Sequence, residues 1–347
     1  MPGRRSPYSF GGESIPAGQR KTIDLPLSVL SNHTPMSLPV HVIHGRRDGP
    51  SVFVSAAVHG DEIIGVEIVR RLMQSPALRR ISGTILLIPI VNAFGFIGHS
   101  RYLPDRRDLN RSFPGSAKGS LASQLAHRFL TDVVQKCDFG IDLHSAAVHR
   151  VNLPQIRISM DDPKAREMAD VFGAPVIIES PLREGSLRHA AGKAGVPMLL
   201  YEAGEGLRFD ETAVRAGVKG VLRVLKHFRM IAARSVDDRP QKSPVSKKSS
   251  WLRAPEGGIL RSKRTIGDSV AIGEVVGVIS DPFGEQETEV ITTTAGLIVG
   301  RITLPVVNQG DALFHIAQMS RAKSEGALDA LEDDVGGDPM FDEDEII

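Results

Sequence analysis

Apolar runs with no polar face recur between residues 50 and 230, and each has the length of a strand buried on both sides of a sheet. The runs are residues 51–58 (SVFVSAAV), 83–90 (GTILLIPI), 139–144 (FGIDLH), 175–179 and 196–201. Apolar residues at helical spacing follow the first run and return over residues 121–134. This alternation predicts an α/β fold with a mostly parallel mixed sheet and helices on both faces.

The flanking segments differ in pattern from this centre. Residues 21–30 and 36–45 read as two antiparallel strands, and Gly- and Pro-punctuated β pieces after residue 250 predict a small β-barrel or sandwich. The predicted divisions are a disordered segment 1–20, a catalytic domain 21–231, a linker 232–250, a β domain 251–320 and an acidic disordered tail 321–347.

Composition narrows the class of protein. The chain has 347 residues and a single cysteine, Cys137, which rules out a disulfide framework and suits a reducing cytoplasm. No signal peptide and no apolar run of about 20 residues is present, so no membrane segment is expected. The net charge of +1 divides into +10 on residues 1–322 and −9 on residues 323–347. With 5% aromatic residues and no nucleic-acid motif, we expect a cytoplasmic protein without a nucleic-acid partner.

Candidate chemistry lies where the buried runs end. His59 and Glu62 follow the first run, His144 ends FGIDLH, and Glu202 follows residues 196–201. Carboxyl ends of parallel strands meet at one edge of a sheet, where ligands bind. Asp61 is expected to cap the next helix, with Glu62 in its first turn. An isolated His-x-x-Glu pair is also compatible with a helix cap beside a surface histidine.

Two imidazoles and one carboxylate form the ligand set of catalytic zinc sites, which keep one position open. His59, Glu62 and His144 are therefore the predicted ligands of one Zn²⁺ per chain, with Glu202 as general base. The polar stretch 92–115 has the length of an unusually long loop, and long loops in compact domains are usually functional. In it, Arg101 would meet a developing oxyanion, and the substrate carboxylate would be held by Asn110 and Arg111.

Five segments resemble the succinylglutamate desuccinylase/aspartoacylase family, which belongs to a wider group of zinc carboxypeptidase A-like enzymes. They are HGDE (59–62), the N-x₈-R spacing from Asn92 to Arg101, DLNRSFPG (108–115), DLHS (142–145) and YEAGE (201–205). The resemblance covers about residues 50–230. It implies zinc on the three ligands named above, Glu202 as the catalytic glutamate, and Asp108 as the carboxylate that orients a ligand histidine. It also implies a small β domain after the catalytic domain.

Three functions stay open at this point. The first is a zinc-dependent deacylase that removes an acetyl- or succinyl-like group from a small, carboxylate-bearing N-acylated amino acid. The second is a carboxypeptidase-type zinc peptidase, and the third is a non-catalytic metal-binding or scaffold protein. Residues 150–188 are expected to be pocket loops, contributing Asn152, Arg157, Arg183 and Arg188. The β domain has no lysine between Lys263 and Lys323, which argues against a carrier function and favours a lid, specificity or homo-oligomerisation module.

Overall fold

The computed structural model describes residues 5–29, 31–238 and 242–335. The helices in these ranges are α1 (Ile64–Gln74), α2 (Ala93–Ile97), α3 (Leu121–Asp132), α4 (Pro163–Phe172), α5 (Leu187–Lys193), α6 (Glu211–His227) and α7 (Arg321–Val335). Short 3₁₀ turns lie at Pro76–Arg79, Leu109–Arg111, Val134–Lys136 and Ala233–Ser235.

The strands of the amino-terminal two thirds are β1 (Tyr8–Phe10), β2 (Glu13–Ile15), β3 (Gln19–Val29), β4 (Pro35–His44), β5 (Arg47–Ala56), β6 (Ser82–Ile88), β7 (Phe139–His144), β8 (Arg150–Ile158), β9 (Val176–Glu179) and β10 (Met198–Glu205). Later strands are β11 (Val245–Ser246), β12 (Ser249–Arg253), β13 (Gly258–Ser262), β14 (Ser269–Val270), β15 (Val275–Ser280), β16 (Glu287–Ile291), β17 (Gly296–Ile302), β18 (Val306–Val307) and β19 (Ala312–Gln318).

One 13-stranded sheet joins most of these strands in the order β12-β19-β17-β8-β10-β7-β5-β6-β4-β3, with β9, β11 and β14 paired off this path. Strands β10, β7, β5 and β6 are parallel neighbours, as are β8, β9 and β11. The other pairings are antiparallel. The α/β class is confirmed, but the sheet is mixed and not mostly parallel, because antiparallel strands extend its parallel centre on both sides.

Helices cover both faces of the parallel centre, as predicted. One face packs against α1, α4 and α6 through Ile68, Phe172 and Val221, which are all at most 1% exposed. The opposite face packs against α3 and α5, with Phe129 and Leu187 completely buried. The two apolar layers hold the strands rigidly, so the side chains at their carboxyl ends have fixed positions.

The first twenty residues differ from the predicted disorder in the range that the structure describes. Strands β1 and β2 form an antiparallel hairpin. Its apolar residues Phe10 and Ile15 are 5% and 1% exposed and belong to the same core as Ile23 and Leu25 of β3. Burial of these two side chains, worth about 1.5–3 kcal/mol each, offsets the conformational entropy of ordering the segment.

Strand β8 is the largest departure from the sequence-based expectation. Residues 150–158 were expected to be loop, but they form a central strand between β10 and β17. Through β17, β14, β19 and β12 the carboxy-terminal region continues the large sheet, and a separate four-stranded sheet β16-β15-β13-β18 packs on this extension. The predicted sandwich is therefore present, and one of its two layers is continuous with the sheet of the catalytic region.

The linker and the tail are also partly structured. Strand β11 of the linker pairs with β9. Helix α7 occupies residues 321–335 of the tail, with Leu331 and Val335 buried and a hydrogen-bonded ion pair between Asp334 and Arg223 of α6. The rest of the predicted disordered tail, 336–347, lies outside the described residues. Among those described, no helix is long and apolar enough to cross a bilayer.

Candidate active site

His59 and Glu62 lie in the turn between strand β5 and helix α1. The predicted cap at Asp61 is wrong, because α1 begins at Ile64 and the preceding Ile63 provides no side-chain cap. Glu62 therefore precedes the helix and does not lie in its first turn. Its carboxylate contacts the imidazoles of His59 and His144.

Close packing against α2 fixes this turn. A Cβ on Gly60 would lie 1.9 Å from the carbonyl carbon of Gly95, so only glycine allows the turn to approach so closely. Any larger residue at position 60 would push the turn away from α2. It would also move the flanking His59 and Glu62.

Glu62 bridges the two predicted ligand histidines. Its Oε1 lies 2.7 Å from His59 Nδ1, and its Oε2 lies 2.6 Å from His144 Nδ1. All three side chains are buried, and the two imidazole centroids are 5.1 Å apart. One ligand atom from each residue lies within 4.8 Å of the others, so the three residues could hold a metal ion.

Each imidazole has a carboxylate at its second nitrogen. His59 Nε2 lies 3.2 Å from Asp108 Oδ1, and His144 Nε2 lies 2.7 Å from Asp142 Oδ2. Both Nδ1 atoms are thereby turned toward Glu62, which fits zinc, because ligand histidines of metal sites almost always have such an outer partner. The DLNR motif predicts Asp108 near a ligand histidine. Asp142 opens the DLHS motif, and side chains two residues apart on a strand share a face, so its position beside His144 also agrees with the sequence.

Electrostatics within this cluster favour ionised carboxylates. Burial alone would lower the pKa of both histidines, but the neighbouring carboxylates outweigh it and raise the pKa of His59 and, more strongly, of His144. Burial alone would raise the pKa of Glu62, yet the two imidazoles hold that pKa far below its usual range. The two imidazoles therefore favour the ionised form of Glu62, which is the form that a carboxylate metal ligand takes.

Arg101 lies beside the cluster and contacts its carboxylates. Its guanidinium donates to Glu62 Oε1 at 3.0 Å and to Asp108 Oδ2 at 3.1 and 3.2 Å. Together with His59 it holds the pKa of Asp108 well below the usual range, against the opposing effect of burial. The structure thus brings Arg101 to the predicted site, and its contact with an oxyanion stays a prediction.

Glu202 lies next to His144 on the neighbouring strand. The two residues are paired in the parallel register of β10 and β7, at the edge where the strand ends converge. Strand β10 continues to Glu205, with an irregularity between Glu202 and Gly204, so Glu202 lies within the strand and not after it. The Asn152 amide donates to Glu202 Oε2 at 2.7 Å.

A cavity of about 550 Å³ opens beside Glu202 and Asp142. Its wall includes both predicted carboxylate-binding residues, Asn110 and Arg111. The Asn110 side-chain oxygen accepts from Leu187 N at 2.9 Å, which fixes the orientation of the amide. The other lining residues are Arg157, Ser180, Pro181, Leu182, Arg183, Ser186, Arg188 and Leu200.

A comparison with protein-family models assigns most of the catalytic region of this sequence to a known family. Residues 48–228 match the model of the succinylglutamate desuccinylase/aspartoacylase catalytic domain. The chain belongs to this family. The match covers more than half of the chain and contains every predicted site residue from His59 to Glu202, so the resemblance read from the five motifs is confirmed.

The similarity to individual members of the desuccinylase/aspartoacylase family covers most of this chain. The N-alpha-acetyl-L-2,4-diaminobutyric acid deacetylase of Halomonas elongata is 26% identical over 294 residues, which is 81% of this chain and 86% of that protein. A succinylglutamate desuccinylase/aspartoacylase from Rhodobacter sphaeroides superposes with a TM-score of 0.78 at 24% identity, covering 87% of this chain and 96% of that one.

A third relative is known with its product bound. The ectoine utilization protein EutE (DoeB) of Ruegeria pomeroyi superposes with a TM-score of 0.77 at 21% identity, covering 86% of this chain and 95% of that structure. At this identity the likeness establishes the fold. The family-model match ends at residue 228, whereas these superpositions cover 87% and 86% of the chain. The structural likeness therefore extends beyond the catalytic region into the carboxy-terminal strands.

Proposed function

We propose that this protein is a zinc-dependent amidohydrolase that removes an acyl group from an N-acylated amino acid or a related small amine. His59, Glu62 and His144 would hold the ion, in the arrangement of the carboxypeptidase-like enzymes. The supporting observation is that a His₂Glu cluster, a glutamate paired in register with one of its histidines, and a cavity wall with Asn110 and Arg111 all meet at one edge of the sheet.

Amide hydrolysis assigns a separate task to each group. Bound Zn²⁺ would supply Lewis acidity to the scissile carbonyl and to the attacking water. Glu202 takes a proton from that water and delivers it to the leaving amine. Arg101, held beside Glu62, stabilises negative charge that develops on the carbonyl oxygen. Asp108 keeps the His59 ring turned toward the ion.

The charge of the cavity supports a substrate that carries a carboxylate. Arg111, Arg157, Arg183 and Arg188 line it, whereas its carboxylates are Asp142, which is hydrogen-bonded to His144, and Glu202. A guanidinium fork binds a carboxylate through two parallel hydrogen bonds. N-acylated amino acids have such a group, and the deacetylase of Halomonas elongata is named for one of them. The cytoplasmic location expected from the single cysteine, Cys137, stays a prediction.

The test combines metal analysis with a substrate panel. The purified protein should contain about one zinc per chain. It should release acyl groups from some of a set of N-acetyl and N-succinyl amino acids, and a chelator should abolish this activity. Short peptides in the same panel test the peptidase alternative: faster release of carboxy-terminal residues from them would replace the deacylase proposal.

The Glu202→Gln variant separates catalysis from metal binding. A general base contributes about 10²–10⁴-fold, so we expect kcat to fall by that factor while zinc content is retained. The loss of kcat would contradict a non-catalytic scaffold role. Full activity in this variant would show that Glu202 is not the base.

A further inference from the structure

The Glu202 carboxylate depends on one neighbouring side chain for its orientation. Asn152 Nδ2 donates to Oε2 at 2.7 Å, and Asn152 is only 5% exposed. Arg157 Nε lies 3.3 Å from Oε1, but this nitrogen makes no aligned hydrogen bond. The amide of Asn152 therefore supplies the directional contact to this carboxylate.

The sheet is irregular on both sides of Asn152. In β10 the register against β8 shifts between Glu202 and Gly204, and in β17 the register against β19 shifts between Ile298 and Gly300. Bulges of this kind redirect side chains and occur often next to active sites. Both strands that flank β8 therefore have a register shift within a few residues of Asn152. The regular strand geometry is interrupted on each side of this residue.

Gly300 leaves the space that the Asn152 side chain occupies. The two residues are paired across β8 and β17, and a Cβ on Gly300 would lie 2.6 Å from Asn152 Oδ1. Its φ is not in the left-handed region, so the reason for glycine is the close approach and not the backbone conformation. The strand that makes this approach belongs to the carboxy-terminal region.

We infer that Asn152 is a positioning residue for Glu202, and that Gly300 keeps the Asn152 amide in the orientation that donates to the carboxylate. The inference rests on the proposed function, in which Glu202 is the base. Asn152 fixes Oε2 through a neutral, directional donor, in addition to the Arg157 guanidinium that lies 3.3 Å from Oε1. The carboxy-terminal strands therefore form part of the active-site framework.

Asn152→Asp is the most direct test, because it preserves shape and replaces the donor with an oxygen that cannot donate when ionised. Misplacing a catalytic group by about 1 Å costs on the order of 10²-fold, so kcat should fall by about that factor. The value of KM should change less than about threefold, and zinc content should not change. Gly300→Ala should lower kcat in the same way from the opposite strand.

Gln155→Leu is the matched control. Gln155 is a buried amide on the same strand, and its Nε2 donates to the Val299 carbonyl of β17 at 3.1 Å instead of to Glu202. We expect a lower Tm and a kcat close to that of the unmodified protein. An Asn152→Asp variant with unchanged kcat, or an equal loss of kcat in Gln155→Leu, would overturn the positioning role.

Crystal structures give a readout that does not need activity. In Asn152→Asp and Gly300→Ala, the Glu202 carboxylate should rotate away from the orientation it has in the unmodified protein. An unmoved carboxylate in both variants would refute the inference. If the unmodified protein hydrolyses nothing in the substrate panel, the proposed deacylase function is wrong. The position of the Glu202 carboxylate in the two variants would still show whether Asn152 and Gly300 orient it.

Discussion

Two neighbouring regions of the active site differ in how their charges are satisfied. In the metal corner, defined by His59, Glu62, His144, Asp108 and Asp142, every imidazole nitrogen lies against a carboxylate oxygen. In the arginine wall, defined by Arg111, Arg157, Arg183 and Arg188, Nε of Arg157 and Nη1 of Arg188 are buried without a hydrogen-bond partner. The charges of the corner are paired within the protein. The wall has buried donors without a hydrogen-bond partner, and Arg157 Nε only forms an ion pair with Glu202 Oε1 at 3.3 Å.

Burial and like charge together disfavour the charged form of one arginine of the wall. Burial and the charge of Arg157 together lower the pKa of Arg188 to about 10, so the guanidinium remains charged at neutral pH but is destabilised by its surroundings. A bound carboxylate would remove that destabilisation. The corner therefore has a donor set that could hold a metal ion, and the wall carries a concentration of positive charge.

The largest expected effect comes from removing a ligand of the metal corner. His144→Ala should lose zinc and lower turnover by about 10³-fold or more, because Lewis acidity contributes several kcal/mol to the transition state. Elemental analysis and initial rates measure both quantities. His149→Ala is the control, since His149 lies five residues further along in a loop and forms no hydrogen bond to the cluster through its ring. Retained zinc in His144→Ala would remove this histidine from the metal corner.

The outer carboxylates should have a smaller effect. Asp142→Asn keeps the shape of the side chain that orients the His144 ring and receives the Ser55 hydroxyl at 2.7 Å. Metal affinity should fall by about 10–100-fold, measured by competition with a chromophoric chelator. Asp138→Asn, whose carboxylate accepts from Ser51 N just before the same strand, should leave the affinity unchanged. Equal affinities in all three proteins would mean that the ring needs no outer partner.

The arginine wall should control substrate affinity and not the chemical step. Arg188→Gln removes hydrogen bonds to a charged group worth about 1.5–3 kcal/mol, so KM for a carboxylate-bearing substrate should rise by about 10–100-fold with little change in kcat. Arg128→Gln on α3, which breaks an exposed ion pair with Asp132, is the control. A lower KM in Arg188→Gln for substrates with a free amine would indicate that the wall excludes cations.

Sequence patterns were sufficient to bring the three predicted ligands together, because His59 and Glu62 follow one buried apolar run and His144 ends another. The run FGIDLH became β7 with unchanged bounds, and the end of a parallel strand dictates where His144 lies. The start of α1 was less predictable. Aspartate is a residue type that often caps helices, which is why Asp61 was predicted to do so. The packing of Gly60 against α2 instead determines the conformation of this turn, and α1 begins later, at Ile64.

Strand β8 could not be predicted by the same reasoning. Its sequence RVNLPQIRI alternates polar and apolar residues in each half, but the alternation changes phase at Pro154, so no single strand pattern extends over the whole segment. It becomes a strand because β10 and β17, which are distant in sequence, provide hydrogen-bonding partners on both sides. Asn152, Arg157 and the link to the carboxy-terminal sheet all depend on this long-range pairing.

The smallest expected effect uses His315 of β19 as a probe of the arginine wall. Burial and then the charge of Arg157 lower the pKa of this histidine to about 3. Its unfolded-state pKa is about 6.5, so the native protein binds fewer protons and loses stability as the pH falls from about 6.5 to 3. In Arg157→Gln the burial contribution remains and the repulsion disappears, so the pKa of His315 should rise.

NMR titration of the imidazole measures this shift directly, and Arg128→Gln should leave the His315 resonance unchanged. The loss of stability toward acid should also begin to level off at a higher pH in Arg157→Gln, because the native pKa lies closer to the unfolded one. If the His315 pKa is the same in Arg157→Gln as in the unmodified protein, burial alone explains it. The positive potential of the wall would then not extend to the carboxy-terminal strands, and its influence would be confined to the cavity.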